Sequence, residues 1–285
     1  MQKTTFPVRI LIHDDASSDE SSVILSEYAN RYPELIWIYT QTENIYKIKN
    51  LKKRLLKRQK FNAWRVCPYE ALCEGDDFWT DPMKLQIQAE FLENNPNYVA
   101  ISHATVIQNE NGRTATANDF WELLNQDTDF DLSRIVQQKV PFHTSSFFFR
   151  SHIIPRITAY PHRAKSGDWI LFSIVAMEGK IRYIHRKMSV YRTHTHGITS
   201  TENHFDTLNM TLSRYQMWQQ LKRYSLTKEH ILIFEKMIRY QHKYLIYDHK
   251  VKSIIDFYNI LHALLIEKEW LAVKQFLKEK IKQAF

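Results

Sequence analysis

YEALCEGDDFWTDPMK, residues 69–84, is the stretch on which the fold turns. Tyr69 to Cys73 is apolar enough for a short buried strand ending at Glu74 and Gly75. Asp81 then supplies an N-cap and Pro82 a first helical residue, so a helix runs through Leu85, Ile87, Phe91 and Leu92 to Asn95. Between the two, Glu74, Asp76, Asp77 and Asp81 crowd into eight residues. Like charge at that density is held comfortably only with a cation. Hard carboxylate oxygens favour Mg2+ or Mn2+, which commonly take one or two carboxylates from the protein and the rest from a substrate's phosphates. A nucleoside diphosphate completes such a site. The neighbouring Phe78 and Trp79 read as core packing rather than as a stacking platform.

Upstream, PVRILIH (7–13) is a short strand ending at Asp14 and Asp15, and Ser17, Ser18 and Asp19 can cap a helix striped by Val23, Leu25, Tyr28 and Ala29. Leu35 to Tyr39 is a second strand, and the segment from Lys47 is a helix with Ile48, Leu51 and Leu55 on one side. Strands and helices alternate, which predicts an α/β fold: a Rossmann-like, mixed and mainly parallel sheet with helices on both faces and ligands at the carboxyl ends of the strands. Both acidic clusters fall at such ends. Downstream, strands are expected at Val99–Ser102, Ser145–Arg150 and Ile181–Tyr191, and a helix at Asp168–Met177 closed by Gly179. The weakly patterned stretch from Gln108 to Lys139 suits loops that contact an acceptor. From Asn203 to Phe285 there is no glycine or proline and the apolar residues keep helical spacing. The chain therefore divides into residues 1–202 and a helical appendage, 203–285.

Composition sets outer bounds. With 44% hydrophobic residues the chain can build a full core. No run reaches the roughly 18 apolar residues of a membrane span, and the first residues lack a signal peptide's apolar segment, which makes the cytoplasm the default expectation. Cys67 and Cys73 are poor material for a structural disulfide and fit a reducing compartment. The formal charge is +8, with eight basic residues and no acid from Lys47 to Lys60. Nucleic acid, anionic lipid and a phosphorylated substrate all suit such a helix. Nucleic acid ranks last, because it leaves the acidic cluster unexplained and no stacking platform accompanies the charge.

HDDASSD (13–19) followed by ALCEGDDFWTDPMKLQ (71–86) resembles the bacterial glycosyltransferases of family 2, of the surface-polysaccharide type with a GT-A fold. The resemblance implies an inverting transfer from a nucleotide-sugar donor, UDP-type above others, to a glycan or lipid-linked acceptor, with contact at the inner face of a membrane. It implies that Asp14 or Asp15 touches the nucleotide. It also makes the acidic loop a variant of the family's DxD motif, with Glu74 and Asp76 on the metal and Asp76 and Asp77 near the donor. Glu74 lengthens one ligand arm, so Asp76 is the firmer ligand. SGDWILFSIVAMEG (166–179) matches the segment bearing the general base, here Asp168. YRTHTHGITS (191–200) matches a closing loop, with Arg192 and His194 on the diphosphate and His196 a further metal ligand. PFHTSSFFFR (141–150) matches the segment beneath the acceptor, with His143, Thr144 and Ser145 as contacts. Asp14, Asp15 and Asp168 each have a plainer reading as turn or helix caps. In the family a strand and a helix precede the position matching Met1, so a shortened, non-catalytic remnant or a nucleotide-binding module is the alternative expectation.

Overall fold

The apolar runs of the first hundred residues form the alternating elements that their pattern predicts, as a computed structural model shows. The helices expected to be capped by Ser17–Asp19 and by Asp81, however, begin at Ser21 and Lys84, with Glu20 and Met83 at the N-cap and no side-chain cap bond. The structure describes residues 1–109, 111–112, 114, 125–137, 142–160, 167–194, 207–248 and 254–284. In chain order these are β1 (Ile10–Asp14), α1 (Ser21–Arg31), β2 (Ile36–Thr40), α2 (Leu51–Asn62), β3 (Tyr69–Ala71), β4 (Phe78–Trp79), α3 (Lys84–Asn94) and β5 (Tyr98–Asn109). There follow β6 (Thr128–Phe130), α4 (Leu132–Gln137), β7 (Phe148–Arg150), α5 (Ile154–Ala159), α6 (Gly167–Ala176) and β8 (Lys180–Thr193). Helices α7 (Thr207–Tyr224), α8 (Lys228–Lys243), α9 (Ile254–Ile266) and α10 (Trp270–Ala284) complete the described chain.

β1 and β2 pair in parallel as a sheet of their own. The larger sheet runs β3-β7-β5-β8-β4, with β6 also on β8. Its long ladder, β5 on β8, is parallel from Tyr98 to Asn109, while β3, β4, β6 and β7 add short antiparallel rungs. The architecture is the expected mixed α/β one. β4 and β6, too short for a periodic signal, were not legible as strands. β8 turns out of α6 past Gly179, where an added Cβ would meet Val99 Cγ1 at 2.8 Å. Only glycine lets that turn lie against the start of β5.

The apolar stripes of the appendage close onto the sheet rather than onto themselves alone. One buried cluster joins Ala100, Phe149 and Ile181 of the sheet to Phe172 and Ile174 of α6 and to Trp218, Phe234 and Phe276 of the terminal helices. Trp169 and Trp218 meet at 5.6 Å between ring centres, linking the start of α6 to α7. The β1–β2 unit is covered far less. Neither α1 nor α2 has a buried residue, and Val23, Ile24 and Tyr28 are exposed.

Candidate functional site

The acidic loop is held from below by buried hydrogen bonds that its own sequence supplies. Trp79 Nε1 donates to the Ser145 carbonyl at 2.9 Å, and the Lys84 ammonium lies 4.2 Å above the Trp79 ring. Lys84 Nζ donates to Gln88 Oε1 at 2.7 Å, and Gln88 Nε2 donates to the Ser146 carbonyl at 2.9 Å. Burial pushes Lys84 down to about 7. The segment Thr144–Ser146, a turn of 3-10 helix, is thereby fixed beneath residues 74–79.

Above that floor, Glu74, Asp77 and His143 bring one ligand atom each within 4.8 Å of the others. Asp77 is buried; its Oδ1 accepts from the Arg192 backbone N–H at 3.1 Å. Its Oδ2 lies 3.3 Å from His143 Nδ1, is shut off from solvent and has no hydrogen-bond partner. An orphaned buried carboxylate oxygen costs free energy that a cation recovers. Burial pushes His143 down to about 4, so the ring is neutral at pH 7 and can donate a lone pair. Desolvation, then the charges of Asp77, Asp76 and Asp168, push Glu74 up to about 7; desolvation, with Asp76 adding, pushes Asp77 to about 6. Two carboxylates and a neutral imidazole fit a small divalent ion.

Asp76, expected as the firmer metal ligand, lies outside this triad. Its Oδ2 is 3.2 Å from His194 Nε2, and its backbone carbonyl accepts from the Arg192 guanidinium. Asp76, Arg192 and His194 instead line a cleft of about 430 Å³ with Phe78, Gln108, Asn109, Gly112 and Thr193. The parallel register sets Gln108 beside Arg192 and Asn109 beside Thr193, which builds one wall. Phe78, expected in the core, is instead exposed on β4 and is the ring of this cleft. The antiparallel rung Phe78–Val190 places it there, a pairing no local pattern announces.

Asp168 opens α6 and its Oδ1 accepts from the Trp169 N–H at 2.9 Å. Desolvation raises its pKa, and its charge contributes to the rise at Glu74. Of the acceptor-side residues, His143 meets Glu74 and Asp77 and packs, tilted, on Tyr191 with ring centres 3.9 Å apart. Ser145 is fully buried, its hydroxyl donating to Ser189 Oγ at 3.2 Å. His196 and the rest of 195–200 lie outside the described residues.

The first cluster is engaged differently. Asp14 Oδ1 accepts from the Ser17 N–H at 3.1 Å and from its hydroxyl at 2.5 Å, closing a turn in which Ala16 takes φ 60. Asp15 Oδ1 accepts from the Ile45 N–H at 2.6 Å, tying the end of β1 to the segment after β2.

The family model described as glycosyl transferase family 2 matches residues 1–154. Uncharacterized proteins of Mycobacterium bovis and of Mycobacterium tuberculosis are each 35% identical over 197 residues, covering 69% of this chain and 53% of the relative. The chain thus spans about half the length of those curated relatives.

Proposed function

From the premise that the chain belongs to glycosyl transferase family 2 and has an α/β fold of the GT-A kind, we propose that it is an inverting transferase, moving a sugar from a nucleotide-sugar donor to a glycan or lipid-linked acceptor in surface-polysaccharide synthesis. The observation carrying this reading is the Glu74–Asp77–His143 cluster around the orphaned Asp77 Oδ2. Mg2+ or Mn2+ held by those three residues would supply positive charge to a diphosphate leaving group. Arg192 and His194 in the adjoining cleft suit the diphosphate oxygens and Phe78 offers a face for stacking, while the family resemblance assigns Asp14 and Asp15 to the nucleotide.

Asp168 is the general base in this reading. A carboxylate with a raised pKa takes a proton from an acceptor hydroxyl more readily than an ordinary one, and its place on the first turn of a packed helix fixes its direction. The hydroxyl oxygen then attacks the anomeric carbon from the face opposite the diphosphate and inverts that centre. Among the described residues no helix is long and apolar enough to cross a membrane. The reading is consistent with a cytoplasmic site of action.

Titration with UDP and manganese, followed by transfer assays over a panel of sugar nucleotides, tests the proposal. Manganese-dependent UDP binding together with transfer supports it. Binding without transfer for any donor favours the second reading, a non-catalytic nucleotide-binding module, for which the thin burial of the β1–β2 unit speaks. Absence of manganese-dependent binding sinks both.

A further inference from the structure

The hairpin of α9 and α10 ends in an exposed tip that carries both large apolar side chains and lysines. Leu265, Ile266, Trp270 and Leu271 are 38%, 54%, 62% and 71% exposed, while Ala263, Leu264, Ala272 and Val273 between them are buried. The outer residues therefore do not serve the core. Lys268 at the apex and Lys274 and Lys278 along α10 are exposed beside them. The two acids of the tip face inward: Glu267 pairs with Arg223 of α7 at 2.5 Å, and Glu269 accepts from Gln219 Nε2 at 2.8 Å. Among the exposed residues from Leu265 to Lys278 the charged ones are therefore lysines alone, set beside the apolar side chains and the neutral Gln275. Lys268 also holds φ 56, a conformation in which a non-glycine side chain is strained, so the apex keeps a cation where glycine would sit more easily.

We propose that this tip docks the protein on an anionic lipid surface, Trp270, Leu271, Ile266 and Leu265 entering the headgroup boundary and Lys268, Lys274 and Lys278 meeting the phosphates. Indole rings favour that boundary, and basic residues next to a small apolar wedge match the negative potential of the leaflet. Charge complementarity separates this occupant from a second copy of the chain, whose own tip would bring the same cations face to face. The basic helix α2 is a weaker lipid-binding element than its sequence suggests. Lys53 and Lys57 pair with Glu43, and Arg58 donates inward to the Ile157 carbonyl.

Flotation with vesicles tests the proposal without any measurement of sugar transfer. The full chain should float with phosphatidylcholine–phosphatidylglycerol vesicles and not with phosphatidylcholine alone. The double variants Trp270→Ala with Leu271→Ala, and Lys268→Glu with Lys274→Glu, should each weaken flotation about tenfold or more at unchanged circular dichroism. Lys52→Glu with Lys53→Glu, on α2, should leave it intact. Equal flotation of the tip variants, loss of flotation on changing α2, or no flotation of the unaltered chain overturns the proposal. So does a wild-type dimer that the tip variants convert to monomer, because the tip would then be a protein interface.

Discussion

At the end of β1, Asp14 and Asp15 each give one carboxylate oxygen to a backbone N–H, of Ser17 and Ile45, whereas after β3 the carboxylates of Glu74 and Asp77 face each other and a neutral imidazole. The first pair closes a turn and ties two segments together. The second is pushed up to about 7 and about 6 by desolvation and like charge. A carboxylate satisfied by backbone donors builds the protein, and one left in the company of other carboxylates is poised for something not made of protein. The supporting layers differ in the same sense. α1 and α2 bury no residue, while Ile170, Phe172, Ile174 and Val175 of α6, behind Asp168, are all in the core. Rigidity is concentrated under the charged loop and the proposed base.

The contrast can be broken most sharply at Asp168. Asp168→Asn should lower transfer by about 10²–10⁴-fold, as loss of a general base does, with affinity for UDP and manganese unchanged. Unaltered turnover would return Asp168 to the role of a helix cap. The difference in burial comes next. Trp218→Ala should cost about 3–5 kcal/mol by chemical denaturation and Tyr28→Ala about 0.5 kcal/mol or less. Comparable losses would mean that the β1–β2 unit carries more of the core than its exposure indicates.

Asp14→Ala should cost about 1–2 kcal/mol, the value of a lost turn or cap bond. Hydrogen exchange should quicken in β1 and β2 while β5 and β8 stay protected. The smallest effect separates the clusters by pH. Glu74 rises from 4.5 to about 7 in the folded chain. The folded state thus binds this proton more tightly than the unfolded state, and the metal-free protein loses stability as pH rises through that interval. Manganese should restore it, raising the melting temperature by a few degrees above pH 7, where both carboxylates are ionised, and by almost nothing near pH 5. A manganese effect independent of pH would place the ion away from Glu74 and Asp77.

Much of this was legible in the residues. The alternation of apolar runs with capped helices yields the α/β order, because each element's period and cap are local. The crowding of Glu74, Asp76, Asp77 and Asp81 marks a cation-seeking loop for the same reason. Which of those carboxylates meet was not legible. Asp77 finds His143 across 66 positions and Arg192 across 115, contacts set by how β5 registers on β8 and by the turn at Thr144–Ser146. A rotation of one residue along the loop exchanges Asp76 for Asp77, and no periodicity records it. The same holds for Phe78, exposed in the cleft only because β4 lies on β8.

The residues alone determined the class of fold, the family resemblance and the crowding of negative charge around Glu74, since propensity and charge density act over a few neighbouring positions. The tertiary structure decided that Asp77 and His143 join Glu74, that Asp76 turns to His194 in the cleft, and that Glu267 and Glu269 fold inward to leave a cationic apolar tip. Those outcomes depend on which distant backbones lie side by side, and only the packed sheet and helices specify that.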